Sequence, residues 1–451
     1  MIVLSLFDGI SGAQLALKRA GIKVDKYYAS EIDKYAISIT QKNFPDTIQL
    51  GDITKWHEWN IEKPDLIIGG SPCQGFSFAG KQLNFEDKRS KLFFQFIDIL
   101  KHYNPKYFLL ENVKMKKEYQ QIISDLLEIE PVEINSALVS AQNRKRLYWC
   151  NWNVEKPEDK GILLKDIIEQ GIVDRDKSYC IDANYFKGGN LEQYFDKSRR
   201  QLVFCGSMRG RRINNRGVRD DYNFNIKPKQ RIEIKEKPKS NCLSTVQKDN
   251  LIGCIQTGIA DINGKSPTLS TCQGGHREPK ITLENMKWRK LTPLECERLQ
   301  TYPDNYTETG LFIPNIKENK CVKQHVVAII ENKGKFYVGH NKCDTPQETC
   351  PRQGMKTGEG YHLCSLVCNQ KNHAEVSACL KADKNAYGGT LYLIGHTYCC
   401  DNCKRIMNEF GIKNIIIGEY PKIKISNTQR YKALGNSFTV DVIAHILKQI
   451  K

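Results

Sequence analysis

Over its first 150 residues the chain alternates short apolar runs with longer amphipathic stretches. The apolar runs repeatedly end in a polar or glycine-rich turn: IVLSLFDG, KYYASEID, TIQLGDIT, DLIIGGSPC and YFLLENV. Few folds accept that rhythm. It is the βαβα alternation of a parallel sheet flanked by helices, and it predicts an α/β domain. In such sheets ligands gather at the carboxyl ends of the strands. There the turn FDGISG carries Gly9 and Gly12, where the backbone must approach a ligand closely. Glu31 follows Gly12 by nineteen residues, a spacing suited to a carboxylate that accepts hydrogen bonds from ribose hydroxyls. Taken alone, the motif also fits a tight strand-to-helix turn with nothing bound.

From residue 151 to about 286 the pattern loosens into polar, Gly- and Arg-containing segments such as CGSMRGRRINNRGVRDD, the composition of loops carried by a scaffold. Two similar elements, SNCLSTVQ (240–247) and SPTLSTCQ (266–273), recur inside it. Beyond it, Thr292 before Pro293 starts a helix with glutamates in its first turns, and the tail reads as a Gly-Asn turn followed by an amphipathic helix. Lys and Arg outnumber Asp and Glu by 68 to 51 in 451 residues, a net charge of +17. Such a balance favours a polyanionic partner, nucleic acid first, and no apolar run approaches the length of a membrane span. The opening residues lack a basic n-region and read as a strand rather than a signal peptide. The expected compartment is therefore a reducing cytoplasm, where the 17 cysteines serve as thiols or metal ligands.

Cys73, in GGSPCQGFSFAG, lies just beyond the buried run DLIIGG, at the ligand edge of the predicted sheet. Glu111 and Asn112 emerge from the next such strand, and Gln142, Arg144 and Arg146 follow in QNRKR. A thiolate, a carboxyl group and guanidinium groups on one edge supply a nucleophile, a proton donor and anion stabilisers, a set suited to conjugate addition to an electron-poor ring. At these residues the chain resembles the DNA (cytosine-5)-methyltransferases over about residues 1–310 and 425–451. FDGISG, Glu31, GDI (51–53), SPCQGFS, ENV, QNRKR, RKLTPLECERLQTYP and YKALGNSF arrive in the family's order.

The resemblance implies a Rossmann-like S-adenosylmethionine-dependent methyltransferase domain (1–150 and 425–451) with a smaller target-recognition domain (151–310). S-adenosylmethionine would lie across Phe7, Gly9, Gly12, Glu31, Asp52 and Ile53, with Pro72 and Asn436 closing its pocket. Cys73 would attack C6 of a cytosine flipped out of double-stranded DNA while Glu111 holds and protonates the N3 edge, and Arg144 and Arg146 would support the flipped nucleotide and its phosphate. Arg209, Arg211, Arg212, Arg216 and Arg219 would meet guanine edges or phosphates. Residue 32 is Ile where an aromatic often stacks on the adenine, so the adenine would rest on aliphatic surface.

The large departure from the family is a stretch of about 114 residues (311–424) where a short connection is usual, and it holds nine of the 17 cysteines. Within it, His373 and Glu375 begin one helix, and Cys400 and Cys403 begin another after the strand TLYLIG. His-x-Glu followed by Cys-x-x-Cys is the zinc-deaminase arrangement, in which one imidazole and two thiolates hold Zn²⁺ and the glutamate moves protons. A redox pair and a purely structural zinc completed by Cys399 are the alternatives. The module resembles the cytidine and deoxycytidylate deaminases, so an inserted α/β zinc deaminase-like domain is expected, acting on cytosine in DNA or on free deoxycytidylate. Its Pro-Cys-x-x-Cys is Cys399-Cys400-x-x-Cys403 here. Cys350, His362, Cys364 and Cys368 read either as a second, structural zinc site or as free thiols. A fusion of this kind points, by association, to a phage or mobile element.

Overall fold

A computed structural model of the chain describes residues 1–71, 91–169, 171, 173–187, 194, 197–204, 207–211, 229–233, 288–316, 321–356 and 359–450. Contacts divide it into two units, Met1–Glu308 with Ser426–Lys451, and Thr309–Ile425. Among the described residues no helix is long and apolar enough to cross a membrane.

The first unit opens with β1 (Ile2–Leu6), α1 (Gly12–Ala20), β2 (Lys26–Ser30), α2 (Lys34–Asn43), β3 (Ile48–Gln49) and β4 (Leu66–Gly69). It continues with α3 (Lys91–Tyr103), β5 (Tyr107–Val113), α4 (Lys117–Leu127), β6 (Val132–Asn135) and β7 (Lys145–Cys150). The strands form one sheet in the order β3-β2-β1-β4-β5-β7-β6. β1 to β5 run parallel to their neighbours, and β7 runs antiparallel between β5 and β6. The apolar runs read from the sequence are buried because helices cover the sheet. Phe93 and Phe96 of α3 and Trp149 of β7 are fully buried in one core cluster with Leu4, Leu6 and Ile67. Local chemistry sets the boundaries. Gly21 stops α1 in the left-handed region (φ 76°), and the Asp33 side chain starts α2 by accepting the Tyr35 and Ala36 amides.

Beyond β7 the described elements are short: α5 (Leu164–Ile167), β8 (Leu202–Phe204), β9 (Ser207–Arg211), β10 (Lys229–Glu233) and β11 (Trp288–Lys290), with β8 paired to β11 and β9 to β10. Next comes α6 (Pro293–Leu299), whose start is a capping box. Thr292 N–H donates to Glu295 Oε2 at 2.8 Å, and Glu295 N–H donates to Thr292 Oγ1 at 3.2 Å.

In the second unit β12 (Thr309–Leu311) pairs antiparallel with a strand at the unit's other end, β17 (Lys422–Lys424). Between them lie β13 (Val327–Asn332), β14 (Lys335–His340), α7 (Tyr361–Leu366), α8 (Ala374–Ala382), β15 (Thr390–Ile394), α9 (Asp401–Glu409) and β16 (Asn414–Ile417). The four-stranded sheet has the order β14-β13-β15-β16, with only the β15–β16 pair parallel. Helix α8 presses directly onto this sheet. A Cβ on Gly339 would come within 2.1 Å of the Ala374 carbonyl, so glycine is required there.

The chain then returns to the first unit through α10 (Asn427–Asn436) and α11 (Val440–Leu447). Here the sequence reading is corrected. Gly435 and Asn436 are the last residues of a helix that begins at the Ser426 cap, and the break before α11 follows them. Arg430 of α10 donates to Glu297 of α6 at 2.9 Å with both side chains buried, 10% and 0% exposed. The same carboxylate accepts the Asn305 and Thr307 amides at 2.7 and 2.9 Å. Removing one partner of such a pair strands a buried charge, at a cost of about 3–5 kcal/mol. Arg430→Met should lower unfolding stability by about 3 kcal/mol or more, whereas Arg405→Ala, which breaks the exposed Arg405–Glu409 pair, should change it by under about 0.5 kcal/mol. Urea titration of the two variants checks the contrast.

Candidate functional site

The carboxyl ends of β1, β2 and β4 open onto one edge of the first unit's sheet. Leaving β1, the chain passes through three residues in the left-handed region, Phe7 (φ 57°), Gly9 (φ 61°) and Ser11 (φ 55°), before Gly12 opens α1. Glu31, just past β2, holds this turn in place. Its Oε2 accepts the Gly9 amide at 2.8 Å, and its Oε1 accepts the amides of Ile32 and Asp33 at 2.7 and 2.8 Å. A carboxylate oxygen has further lone pairs, so Glu31 can still accept a hydroxyl from outside. A Cβ on Gly9 would meet nothing within 4 Å, and the Ile32 side chain is 74% exposed. Together they frame an open face with one carboxylate and one aliphatic surface. Asp52 caps a short 3₁₀ helix by accepting Thr54 N–H at 2.9 Å. The Ile53 side chain is buried in the core, so what Ile53 can offer a ligand is backbone.

Asp8 was not singled out from the sequence, and it anchors the same turn from below. Its carboxylate accepts Ser11 Oγ at 2.5 Å and Tyr27 OH at 2.7 Å. Burial pushes its pKa up to about 6, against the pull of these hydrogen bonds. An unfolded aspartate titrates near about 3.9. Folding therefore favours the protonated form, and stability should fall as pH rises from about 4 to about 6. Asp8→Asn should flatten that slope, read from urea midpoints across the same range.

At the end of β5 the Glu111 carboxylate receives Arg146 Nε at 3.0 Å, with side chains 12% and 14% exposed. The reversed direction of β7 makes this contact possible, because its first residues lie beside the last residues of β5, Arg146 opposite Val113. Asn112 Nδ2 donates to Ser71 Oγ at 3.1 Å and ties the exit of β4 to β5. Glu111 Oε2 lies 3.2 Å from where a Cβ on Gly70 would stand. Glu111 therefore borders the start of the segment that carries Pro72 and Cys73, and both of those residues lie outside the described residues.

Arg144, expected to support a nucleotide, turns its Nη groups to the protein interior, and its Nε has no partner among the described residues. It is buried, and it donates to the carbonyls of Ile181 at 3.1 Å, Gly435 at 3.4 Å and Ser437 at 3.0 Å. A guanidinium committed to backbone carbonyls fixes the end of α10, where Asn436 is exposed, and Arg146 alone of the two arginines meets the site's carboxylate. Gln142 is likewise turned inward, accepting Ile181 N–H at 2.9 Å. The backbones of Arg209 and Arg211 lie in β9, while Arg212, Arg216 and Arg219 lie outside the described residues.

In the second unit, His373 is the N-cap of α8 and Cys400 the N-cap of α9, so two helix starts carry the donor set. His373 Nδ1 is 3.6 Å from Cys400 Sγ and 3.3 Å from Cys403 Sγ, and the three ligand atoms all lie within 4.8 Å of one another. With Zn–S near 2.3 Å and Zn–N near 2.0 Å, tetrahedral coordination puts sulfur and nitrogen about 3.5 Å apart. The donors are soft and the spacing fits zinc. Glu375, 5% exposed, lies in the first turn of α8. Burial and the nearby Glu375 raise the pKa of the Cys403 thiol, and the same two causes push Cys399 up to about 12. A cavity reaches His373, Glu375 and Cys400 and is walled on other sides by Arg352, Tyr361 and His396. His362, one of the candidates for a second metal site, is exposed on α7.

The sequence profile of the C-5 cytosine-specific DNA methylases matches residues 1–311. The orphan methyltransferase M.SPRI of Bacillus phage SPR is 36% identical over 478 aligned residues, covering 99% of this chain and 97% of that protein. The orphan methyltransferase M.Rho11sI of Bacillus phage rho11s is 30% identical over 62% of this chain and 69% of its own length. The type II methyltransferase M1.ScrFI of Lactococcus lactis subsp. cremoris is 42% identical over 158 residues, which span 32% of this chain and 40% of that protein.

Proposed function

Because this chain belongs to the C-5 cytosine-specific DNA methylase family, we propose that its first unit methylates C5 of cytosine in double-stranded DNA at the sheet edge where Glu111 meets Arg146. The observation that carries the reading is this ion pair. It lies next to the β4 exit and on the same edge as the turn that Glu31 pins. S-adenosylmethionine, bound over Gly9 and Glu31 with its adenine on Ile32, supplies the methyl group. Glu31 accepts its ribose hydroxyls, and Phe7, Gly12, Asp52, Ile53, Pro72 and Asn436 complete the binding face. Cys73 adds through its thiolate to C6 of a cytosine turned out of the duplex. Glu111 bonds the N3 edge, and the proton it delivers there draws electron density to that side of the ring as the C6–S bond forms. Arg146 holds the Glu111 carboxyl in place. C5, now nucleophilic, takes the methyl group; loss of the C5 proton and of the thiol then restores the ring. The basic balance of the chain suits the polyanionic substrate.

A second activity is proposed for the inserted unit, supported by the spacing of His373, Cys400 and Cys403 and by buried Glu375 beside them. His373, Cys400 and Cys403 would hold a zinc ion, which would supply an activated water for hydrolytic deamination of a cytosine base. Glu375 would take a proton from that water and pass it to the ring nitrogen as the C–O bond forms, then take the remaining hydroxyl proton and pass it to the amino group, which leaves as ammonia; the cavity bounded by Tyr361 and His396 receives the base. The substrate is cytosine in DNA or free deoxycytidylate.

Mass spectrometry of nucleosides from duplex DNA, incubated with and without S-adenosylmethionine, tests the first reading, with deoxycytidylate in a parallel tube for the second. Cys73→Ser should abolish 5-methyldeoxycytidine formation and leave deamination intact, while Glu375→Ala should abolish deamination with zinc still bound and methylation unchanged. Loss of both activities in either variant would contradict two separate sites. Arg146→Ala should lower the methylation kcat on the order of 10²-fold with little change in the KM for S-adenosylmethionine, as expected when a positioned proton donor is released; a changed KM with unaltered kcat would place Arg146 in cofactor binding instead.

A further inference from the structure

The four-stranded sheet of the inserted unit ends in two edge strands that are finished differently. At one edge β14 is guarded. Lys381 of α8 donates its Nζ to the Val338 carbonyl at 2.8 Å, and exposed Lys335 opens the strand. Lysines on an edge strand deter pairing with a foreign strand. At the other edge β16 reads Asn-Ile-Ile-Ile, with Ile415 and Ile417 each 42% exposed. Among the described residues no side chain bonds to the backbone of Ile415, Ile416 or Ile417. The parallel neighbour β15 satisfies one side of β16, where Gly418 N–H donates to the Leu393 carbonyl at 2.8 Å. Backbone groups alternate in direction along a strand, so the N–H and C=O groups of Ile415 and Ile417 point away from β15. Across the same pair Ile415 and Ile417 are in register with Leu391 and Leu393, both fully buried in the unit's core. The two isoleucines therefore carry the core's apolar surface out to the open edge. Tyr387, 79% exposed, lies against Gly411 just before the strand and lengthens this strip.

We propose that β16 docks a second copy of this chain, the two strands pairing antiparallel about a two-fold axis at Ile416 to join both four-stranded sheets into one. In that register Ile415 of each copy meets Ile417 of the other, and the two residues exchange their outward backbone hydrogen bonds. Lys413, exposed just before the strand, comes beside Glu419 of the second copy, exposed just beyond its end. The run Lys-Asn-Ile-Ile-Ile-Gly-Glu (413–419) is thus complementary to its own reverse, with charge meeting opposite charge and isoleucine meeting isoleucine. A register shifted by two residues would set Lys413 or Glu419 against an isoleucine, so the charges select the axis at Ile416. Because β14 is guarded, pairing ends at two copies and does not continue into a fibre. A single strand pair is a small interface, so the dimer forms reversibly. The inference does not require the His373 site to turn over a substrate.

The test is sedimentation velocity of the full-length protein under reducing conditions from about 1 to about 100 μM, the range in which a small interface should associate, with amide hydrogen exchange followed in β16. A dimer should replace the monomer as concentration rises, and the Ile415 and Ile417 amides should gain protection over the same range. Ile417→Lys, which puts a charge on the edge, should stay monomeric with an unchanged thermal midpoint. Lys413→Glu and Glu419→Lys each set like charges against one another at both ends of the strand pair, and each should weaken dimerisation on the order of 10-fold. The double variant Lys413→Glu, Glu419→Lys should recover the wild-type affinity, which a merely damaged fold would not do. A wild type that stays monomeric throughout, a dimer that survives Ile417→Lys, a double variant no better than the single ones, or β16 amides equally protected at every concentration would each overturn the proposal.

Discussion

The Glu297–Arg430 pair joins two helices that are 133 residues apart in the chain, with the whole inserted unit between them. Glu297 is fully buried, and a carboxylate there is tolerable only because one guanidinium and two backbone amides surround it. The pair settles where α10 lies against α6. That placement fixes the carbonyls of Gly435 and Ser437, which Arg144 gathers, and the start of α11, whose Asp441 receives Arg19 of α1 at 2.7 Å. The turn below the ligand face is thus held from two directions, by Asp8 and Glu31 within the first strands and by the returning helices from the far end of the chain.

Much of this edge was legible in the sequence, because the relevant chemistry is local. The glycine-rich turn after β1, the carboxylate after β2 and the Thr292-Pro293-x-Glu295 helix start all act within a few residues of themselves. The Thr292 helix start forms as read, and Glu31, expected to meet a ribose, accepts the Gly9 amide of the turn. His373 and Cys400 were also readable as helix starts, since each follows a loop and precedes an amphipathic run. Arg144 and Arg146 could not be told apart by sequence. They lie two positions apart, Arg144 just before β7 and Arg146 within it, yet Arg146 reaches a carboxylate and Arg144 a set of carbonyls, and the difference depends on what the returning helix presents. The reversal of β7 was equally hidden: a strand's apolar pattern carries no sign of its direction.

The thiols teach the same lesson differently. A search for ligands along the sequence groups neighbours, and so gathered Cys350, His362, Cys364 and Cys368. In the structure Cys343 and Cys368 are buried, while His362 is exposed on α7. Spacing identifies metal ligands when two of them share one helix start, as Cys400 and Cys403 do. Asp8 escaped notice for another reason: FDG reads as a turn, and nothing in its sequence announces that the aspartate is wholly buried.

The antiparallel pairing of β12 with β17 brings the first and last strands of the inserted unit side by side. For a polypeptide emerging from a ribosome this sets an order of events. Everything up to α6 is made first, but Glu297 waits without its guanidinium and α1 without α11 until the whole of Thr309–Ile425 has been synthesised. Once β12 and β17 zip together, that long excursion is closed at its base, and the entropy of joining the two distant halves of the first unit is that of a short connection rather than of a loop more than a hundred residues long. The first unit can be completed only after the inserted stretch has been synthesised.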